Sequence, residues 1–218
     1  MKNHKKHIEA VIERTLSKLN SLYHRDGGGL KDTRLIFPRY WVTEEGKRVE
    51  GKVRVSEQEL RFMFVEELNK YCNENPDWEV FYSVETPTSN SYRLTGEGFQ
   101  SGCIDLCIHA KDLKRIALIE FKALNPSEHD HAKDAFKLKH EIEGELRYFI
   151  EIVKSHNRKT DESIVDKLSV EKLKDGKAYQ AYNMDCSHPF SYIVASFKGE
   201  GIEIIAKNTD SCNEDTNS

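Results

Sequence analysis

Residues 115–123 read RIALIEFKA, an apolar string interrupted by Glu120 and Lys122. In a strand, side chains two apart share a face, so Glu120 and Lys122 stand together, with Ile119 and Phe121 on the other side. Burying an acid and an amine is costly unless a partner offsets the lost hydration. A second interruption lies upstream. Asp105 sits within CIDLCI, where Ile104, Leu106 and Ile108 predict one apolar face and Cys103, Asp105, Cys107 and His109 the other. If these two strands are antiparallel neighbours, their acids converge at one end of a sheet.

Two carboxylates a few Å apart repel unless a cation lies between them. Mg²⁺ suits that role, because it takes oxygen ligands, keeps several waters and is commonly held by one or two carboxylates. Such an ion activates water and offsets charge on a phosphoryl group. Lys122, one strand step from Glu120, would face that water. The bland alternative is a salt bridge on a half-exposed strand, and pairs of that kind contribute little stability. Zinc fits less well. Cys103 and Cys107 are two strand steps apart, roughly 13 Å, and zinc needs ligands that surround it.

The elements that must position these residues follow from periodicity. Within 4–22, Ile8, Val11, Ile12, Leu16 and Leu19 recur at helical spacing. The glycine run in RDGGGLKD marks a loop, and the aromatic, basic stretch 33–55 reads as irregular or hairpin-like. A second helix is expected over 56–72, with Ser56 and Glu59 spaced as a capping box. Strands are expected at 78–85, 102–110 and 115–123. TPTSNSYRLTGEGFQS forms a polar loop or hairpin between the first two, and KDLK a tight antiparallel connection between the others. A long helix over 127–154 and a charged helix near 161–174 come next. Strands at 190–197 and 202–206 follow, and the polar tail 207–218 reads as disordered. This order describes an α/β domain over 56–206 preceded by an extension over 1–55.

Composition sets the class. Of 218 residues, 38% are hydrophobic and 32% charged, which suits a soluble globular protein. No run approaches the roughly 18 apolar residues of a membrane span, and the charged N-terminus lacks a signal-peptide core. Five cysteines without a CxxC pair suit reduced thiols in a cytoplasmic protein. Net charge is −4, but residues 1–61 carry 14 basic against 9 acidic residues, leaving +5 there and −9 elsewhere. A basic front half suits contact with phosphates.

An Asp on one strand, 14 intervening residues, then Glu-x-Lys on an apolar strand resembles the PD-(D/E)XK nuclease superfamily. The helix before the sheet and the helix after the Glu-x-Lys strand add to the likeness, which covers roughly 56–140. The Pro that names the motif is absent, since Cys103-Ile104 precedes Asp105. SEQELRFMFVEELN, YSVETPT and LIEFKALNPSEHDHAKDAFKL look like a bacterial branch of that superfamily. The resemblance implies a restriction-endonuclease-like mixed central sheet flanked by helices. It also implies Mg²⁺ or Mn²⁺ held by Asp105, Glu120 and the carbonyl of Phe121, with Lys122 orienting or deprotonating the attacking water or stabilising the phosphorane. The preceding helix would lend Glu59, with Glu66 or Glu67 as rivals. The implied activity is phosphodiester hydrolysis on DNA rather than RNA, in restriction or defence, by a homodimer or with a partner subunit. The alternative is a non-catalytic nucleic-acid-binding or assembly subunit of the same fold.

Further residues can be read in two ways. Glu85 either lines the cleft or ends a strand. Lys133, Asp134, Lys137 and Lys139 either contact phosphate or form a solvated helix face. His129 and His131 read as surface. Phe37, Tyr40 and Trp41 beside Arg34 and Arg39 either stack on bases or pack the extension onto the core.

Overall fold

Ile8, Val11, Ile12, Leu16 and Leu19 are all essentially inaccessible to solvent, lying along one face of helix α1 (Lys2–Tyr23). A computed structural model describes residues 2–24, 33–43, 45–50, 53–124, 126–153, 158–168, 173–183, 187–197 and 203–208. After α1, β1 (Tyr40–Val42) and β2 (Arg48–Glu50) pair as a small antiparallel hairpin. Helix α2 (Glu57–Glu74) then packs its Leu60, Phe64 and Leu68 stripe into the same apolar cluster as α1.

The remaining elements build one mixed sheet. Strands β3 (Phe81–Leu94), β4 (Gln100–His109) and β5 (Arg115–Ala123) form an antiparallel meander, as the short KDLK connection requires. Helix α3 (Glu128–His140) carries the chain across the sheet to β6 (Leu146–Val153), which runs parallel to β5. Helix α4 (Arg158–Leu168), β7 (Tyr179–Ala181), β8 (Ser191–Ser196) and β9 (Glu203–Asn208) complete the order β7-β3-β4-β5-β6-β8-β9. The described residues thus form an α/β fold with a mixed sheet and four helices. None of its helices is long and apolar enough to cross a membrane, among the described residues.

The structure departs from the sequence expectations at several points. The helix expected over 127–154 stops at His140, and its second half is strand β6. LRYFIEIV is buried on both faces between β5 and β8, so its apolar run carries neither a period of two nor one of 3.6. Gly144 enforces the break. It adopts φ 101°, and a Cβ there would lie 2.7 Å from Leu118 Cγ, so only glycine fits. Of the loop or hairpin expected after residue 85, the structure shows the hairpin, and its arms are strand. Thr86, Thr88, Asn90 and Tyr92 alternate inward along β3, which turns only at Thr95. At Ser56 the capping box does not form, because the hydroxyl bonds the Glu59 carboxylate and caps no backbone amide. Finally, His131 is fully buried rather than on the surface.

Two apolar clusters sandwich the sheet. Ala117, Ile119 and Phe121 of β5 face α1 and α2, with Phe121 and Phe64 ring centroids 5.5 Å apart. Leu118 faces Ala135 and Leu138 of α3. In β4 the expected single apolar face is split: Leu106 and Ile108 lie in the first cluster and Ile104 in the second. The strand therefore changes its inward face across Asp105. Phe37 packs on Tyr23 and Phe197, the packing alternative for that aromatic. The side chains of Tyr40 and Trp41, the glycine run 27–29 and the tail from 209 onward lie outside the described residues.

Candidate active site

Antiparallel pairing of β4 with β5 sets Leu106 against Ile119, placing Asp105 beside the Glu120 end of β5. One Asp105 oxygen, Oδ2, accepts a hydrogen bond from the Phe121 amide at 2.8 Å. The acid is therefore anchored to the backbone between Glu120 and Lys122. Its other oxygen, Oδ1, accepts from Arg61 on α2 at 2.7 Å, and Arg61 also bonds Glu85 of β3. Glu85 lies across the ladder from Asp105 and adopts φ 46°, a conformation that costs a non-glycine residue energy and recurs at functional sites.

Glu120 and Lys122 face α3, as two residues one strand step apart must. The Lys122 ammonium sits 2.6 Å from Asp134 and 3.7 Å from Glu57. Lys137, one helical turn beyond Asp134, places its ammonium 2.6 Å from Glu120 Oε1 and 2.8 Å from Asp134. It also donates to the Cys103 carbonyl at 2.6 Å. Its stem passes over Gly102, where a Cβ would lie 3.0 Å from Lys137 Cδ. The charged row continues inward. Glu151 of β6 lies in register with Lys122, and its carboxylate meets His131 at 2.8 Å with both side chains fully buried.

The electrostatics are unbalanced. Glu57, Glu85, Asp105, Glu120 and Asp134 supply five carboxylates, against the three cations Arg61, Lys122 and Lys137. Glu120 is 1% exposed. Burial, then the neighbouring Asp134, push its carboxyl well above the ordinary range, and the nearby Lys137 only partly offsets them. Its Oε1 is met by the Lys137 ammonium at 2.6 Å. Glu57 is also raised, mainly by burial, with Lys122 pulling it partly back. Burial opposes charge on Lys122 and Lys137, but the carboxylates around each outweigh it and hold both pKa values above the ordinary amine value. Asp134 is held below the usual carboxylate range: Lys137 and Lys122 overcome its burial.

Asp105 and Glu120 are the carboxylates that could hold a hard divalent cation. Among the described residues, no three His, Cys, Asp or Glu side chains by themselves form a metal cage. What is present is a pair of strand carboxylates beside a backbone segment, the low-protein-ligand, water-rich arrangement Mg²⁺ accepts. A divalent ion would favour the charged form of Glu120, which its burial and the neighbouring Asp134 disfavour.

Asp105, Glu120 and Lys122 are brought together as the spacing indicates, and Glu85, Asp134 and Lys137 join them. Glu59 does not. It is 7% exposed and held by Ser56 and, at 3.4 Å, by Arg54. Glu57 and Arg61 are four apart and share the helix face toward the sheet, whereas Glu59 points elsewhere. Glu66 and Glu67 pair with Lys70 on α2. Lys133 and Lys139 are exposed. Burial pushes the Cys107 thiol up to about 11, and His109 Nε2 bonds Ser83 at 2.7 Å. Arg61 and Glu57 escaped the sequence reading, although their i, i+4 spacing beside the capping signal was a usable clue. No protein-family model, curated protein or solved structure matches this chain.

Proposed function

We propose that the protein is a metal-dependent nuclease of the restriction-endonuclease-like fold. The observation that carries the reading is the buried Glu120 carboxylate beside Asp105, in a cluster of five carboxylates and three cations. In this reading Asp105, Glu120 and the Phe121 carbonyl hold Mg²⁺ or Mn²⁺, which supplies Lewis acidity toward a phosphoryl oxygen and an acidified water. Arg61 and the Phe121 amide fix the Asp105 carboxylate. Lys137 lowers the cost of keeping Glu120 ionised before the ion arrives. Lys122, held protonated by Asp134 and Glu57, donates a hydrogen bond to the attacking water or to the phosphoryl oxygens. A charged ammonium cannot take a proton, so base catalysis by Lys122 is disfavoured within this network. DNA is the expected substrate, in restriction or defence, with a homodimer or partner subunit completing double-strand cutting.

A second reading has its own observation. Asp105 and Glu120 each already face a cation of the same chain, Arg61 and Lys137, as in a non-catalytic nucleic-acid-binding or assembly subunit stabilised by ion pairs. Cleavage of plasmid, linear duplex, single-stranded DNA and RNA with Mg²⁺ or Mn²⁺ separates the two, using wild type beside Glu120→Ala and Lys122→Ala. Metal-dependent cutting lost in both folded variants supports the nuclease. Absence of cutting on all four substrates, with no metal-induced stabilisation, supports the subunit.

A further inference from the structure

Lys137 has two environments. Its ammonium reaches Glu120, while its stem forms a wall of a cavity of about 220 Å³ on the far side of Gly102. Tyr92, Phe136 and Tyr179 present aromatic surface to that cavity, and Lys133 stands at its rim. Phe136 lies 6.1 Å from Tyr179 between ring centroids at 36°, and Tyr92 meets Phe136 edge-on at 6.3 Å, so the rings line the cavity as a tilted pair with Tyr92 packed behind it. Lys133 is one helical turn before Lys137 and exposed, and it has no ion-pair partner among the described residues. Glu97 and Gln100 add polar groups at the edge.

The size and chemistry of this cavity restrict its occupant. It falls below the roughly 300–1,000 Å³ of pockets that enclose drug-sized ligands, so it suits a single ring system. A single exposed aromatic face is enough to stack one nucleobase, and adjacent cations hold the flanking phosphates. Because Lys137 spans the cavity and the Glu120 carboxylate, a ring here would lie next to whatever phosphate occupies the charged cluster.

We propose that this cavity is a nucleobase subsite for the strand being cut. It would take one unstacked base adjacent to the scissile phosphate, with Lys133 on a flanking phosphate. The proposal rests on the nuclease reading for the identity of the strand, but its test does not require cleavage. It also implies a preference for single-stranded or distorted substrate, since a base within a duplex is stacked and unavailable.

The test is equilibrium binding by the full chain in EDTA, where no hydrolysis proceeds. The probes are a deoxynucleoside 5′-monophosphate, deoxyribose 5-phosphate and a short oligodeoxynucleotide. Wild type should bind the oligonucleotide most tightly, the mononucleotide measurably and the sugar phosphate at least tenfold more weakly than the mononucleotide. Gln100→Trp places an indole in the cavity from an exposed strand position and should weaken nucleotide binding about tenfold. Lys133→Glu, on the helix surface, should weaken the oligonucleotide more than the mononucleotide. Unchanged melting temperatures would show that both variants fold. Equal binding of sugar phosphate and nucleotide, undiminished binding by Gln100→Trp, or no advantage of the oligonucleotide over the mononucleotide would each overturn the subsite. Cleavage intact without base-dependent binding sinks the subsite alone. Base-dependent binding without cleavage under any metal sinks the nuclease reading alone.

Discussion

The two faces of strand β5 are built on opposite principles. Toward α1 and α2, Ala117, Ile119 and Phe121 meet Phe64, Leu60 and Leu16 in a closed apolar layer. Toward α3, Leu118 is followed by Glu120 and Lys122, which meet Asp134 and Lys137 in an equally buried layer of charge. The first layer removes apolar surface from water and stabilises the fold. The second gives up the hydration of several ions and recovers it incompletely. A chain that keeps both on one strand uses the first to hold the second in place, and the proposed metal chemistry would give the costly charged face a role.

The largest expected effect separates the faces by activity. Lys122→Ala or Glu120→Ala should lower metal-dependent cleavage by about 10³-fold or more, on the scale of removing a group that stabilises transition-state charge, while the protein stays folded. Phe64→Ala on the apolar face should do the reverse. It should cost about 3–5 kcal/mol of stability and leave the metal dependence of the remaining folded protein unchanged. Chemical denaturation read alongside cleavage checks both.

Glu120→Gln sharpens the contrast. Replacing one surplus carboxylate by a neutral amide should raise the metal-free melting temperature by roughly 2–4 °C, equivalent to about 1 kcal/mol in a protein of this size, while abolishing cleavage. An apolar-layer polar swap has no such gain available.

The pH dependence has a defined sign. Glu120 and Glu57 have carboxyl pKa values raised by folding, so the folded state binds protons more tightly than the unfolded chain. Metal-free stability should therefore fall as pH rises from the unfolded carboxylate value near 4.3 through the raised folded values. Saturating Mg²⁺ should flatten that slope, because the ion replaces the protons. Urea midpoints between pH 4 and 8 measure it. The smallest effect is expected at Glu59: Glu59→Gln should cost about 1 kcal/mol or less and leave cleavage within about twofold of wild type, since it touches Ser56 and Arg54 rather than the cluster.

How much of this was legible in the sequence depends on which side of a strand carried the signal. Asp105 and Glu120–Lys122 stood out because each interrupts an apolar run, and a strand has only two faces on which to place them. The α2 contribution was missed because Ser56 and Glu59 offered a plausible local partner, while Glu57 and Arg61 look like ordinary surface residues until the sheet is present. Strand β6 was read as helix because a strand buried on both faces has no alternation to display. Asp134 and Lys137 were visible as a charge pair on a helix. Their burial follows from α3 crossing back over β5, a tertiary fact that no local pattern records.

Thermal denaturation tests most directly whether the charged face binds a divalent cation, as proposed. Wild type and Glu120→Gln are melted with EDTA, then with Mg²⁺ and with Mn²⁺. At a hundred times the dissociation constant, binding stabilises by about 2.7 kcal/mol, so wild type should gain several degrees and the variant almost nothing. No gain in wild type, or the same gain in both proteins, would contradict the account.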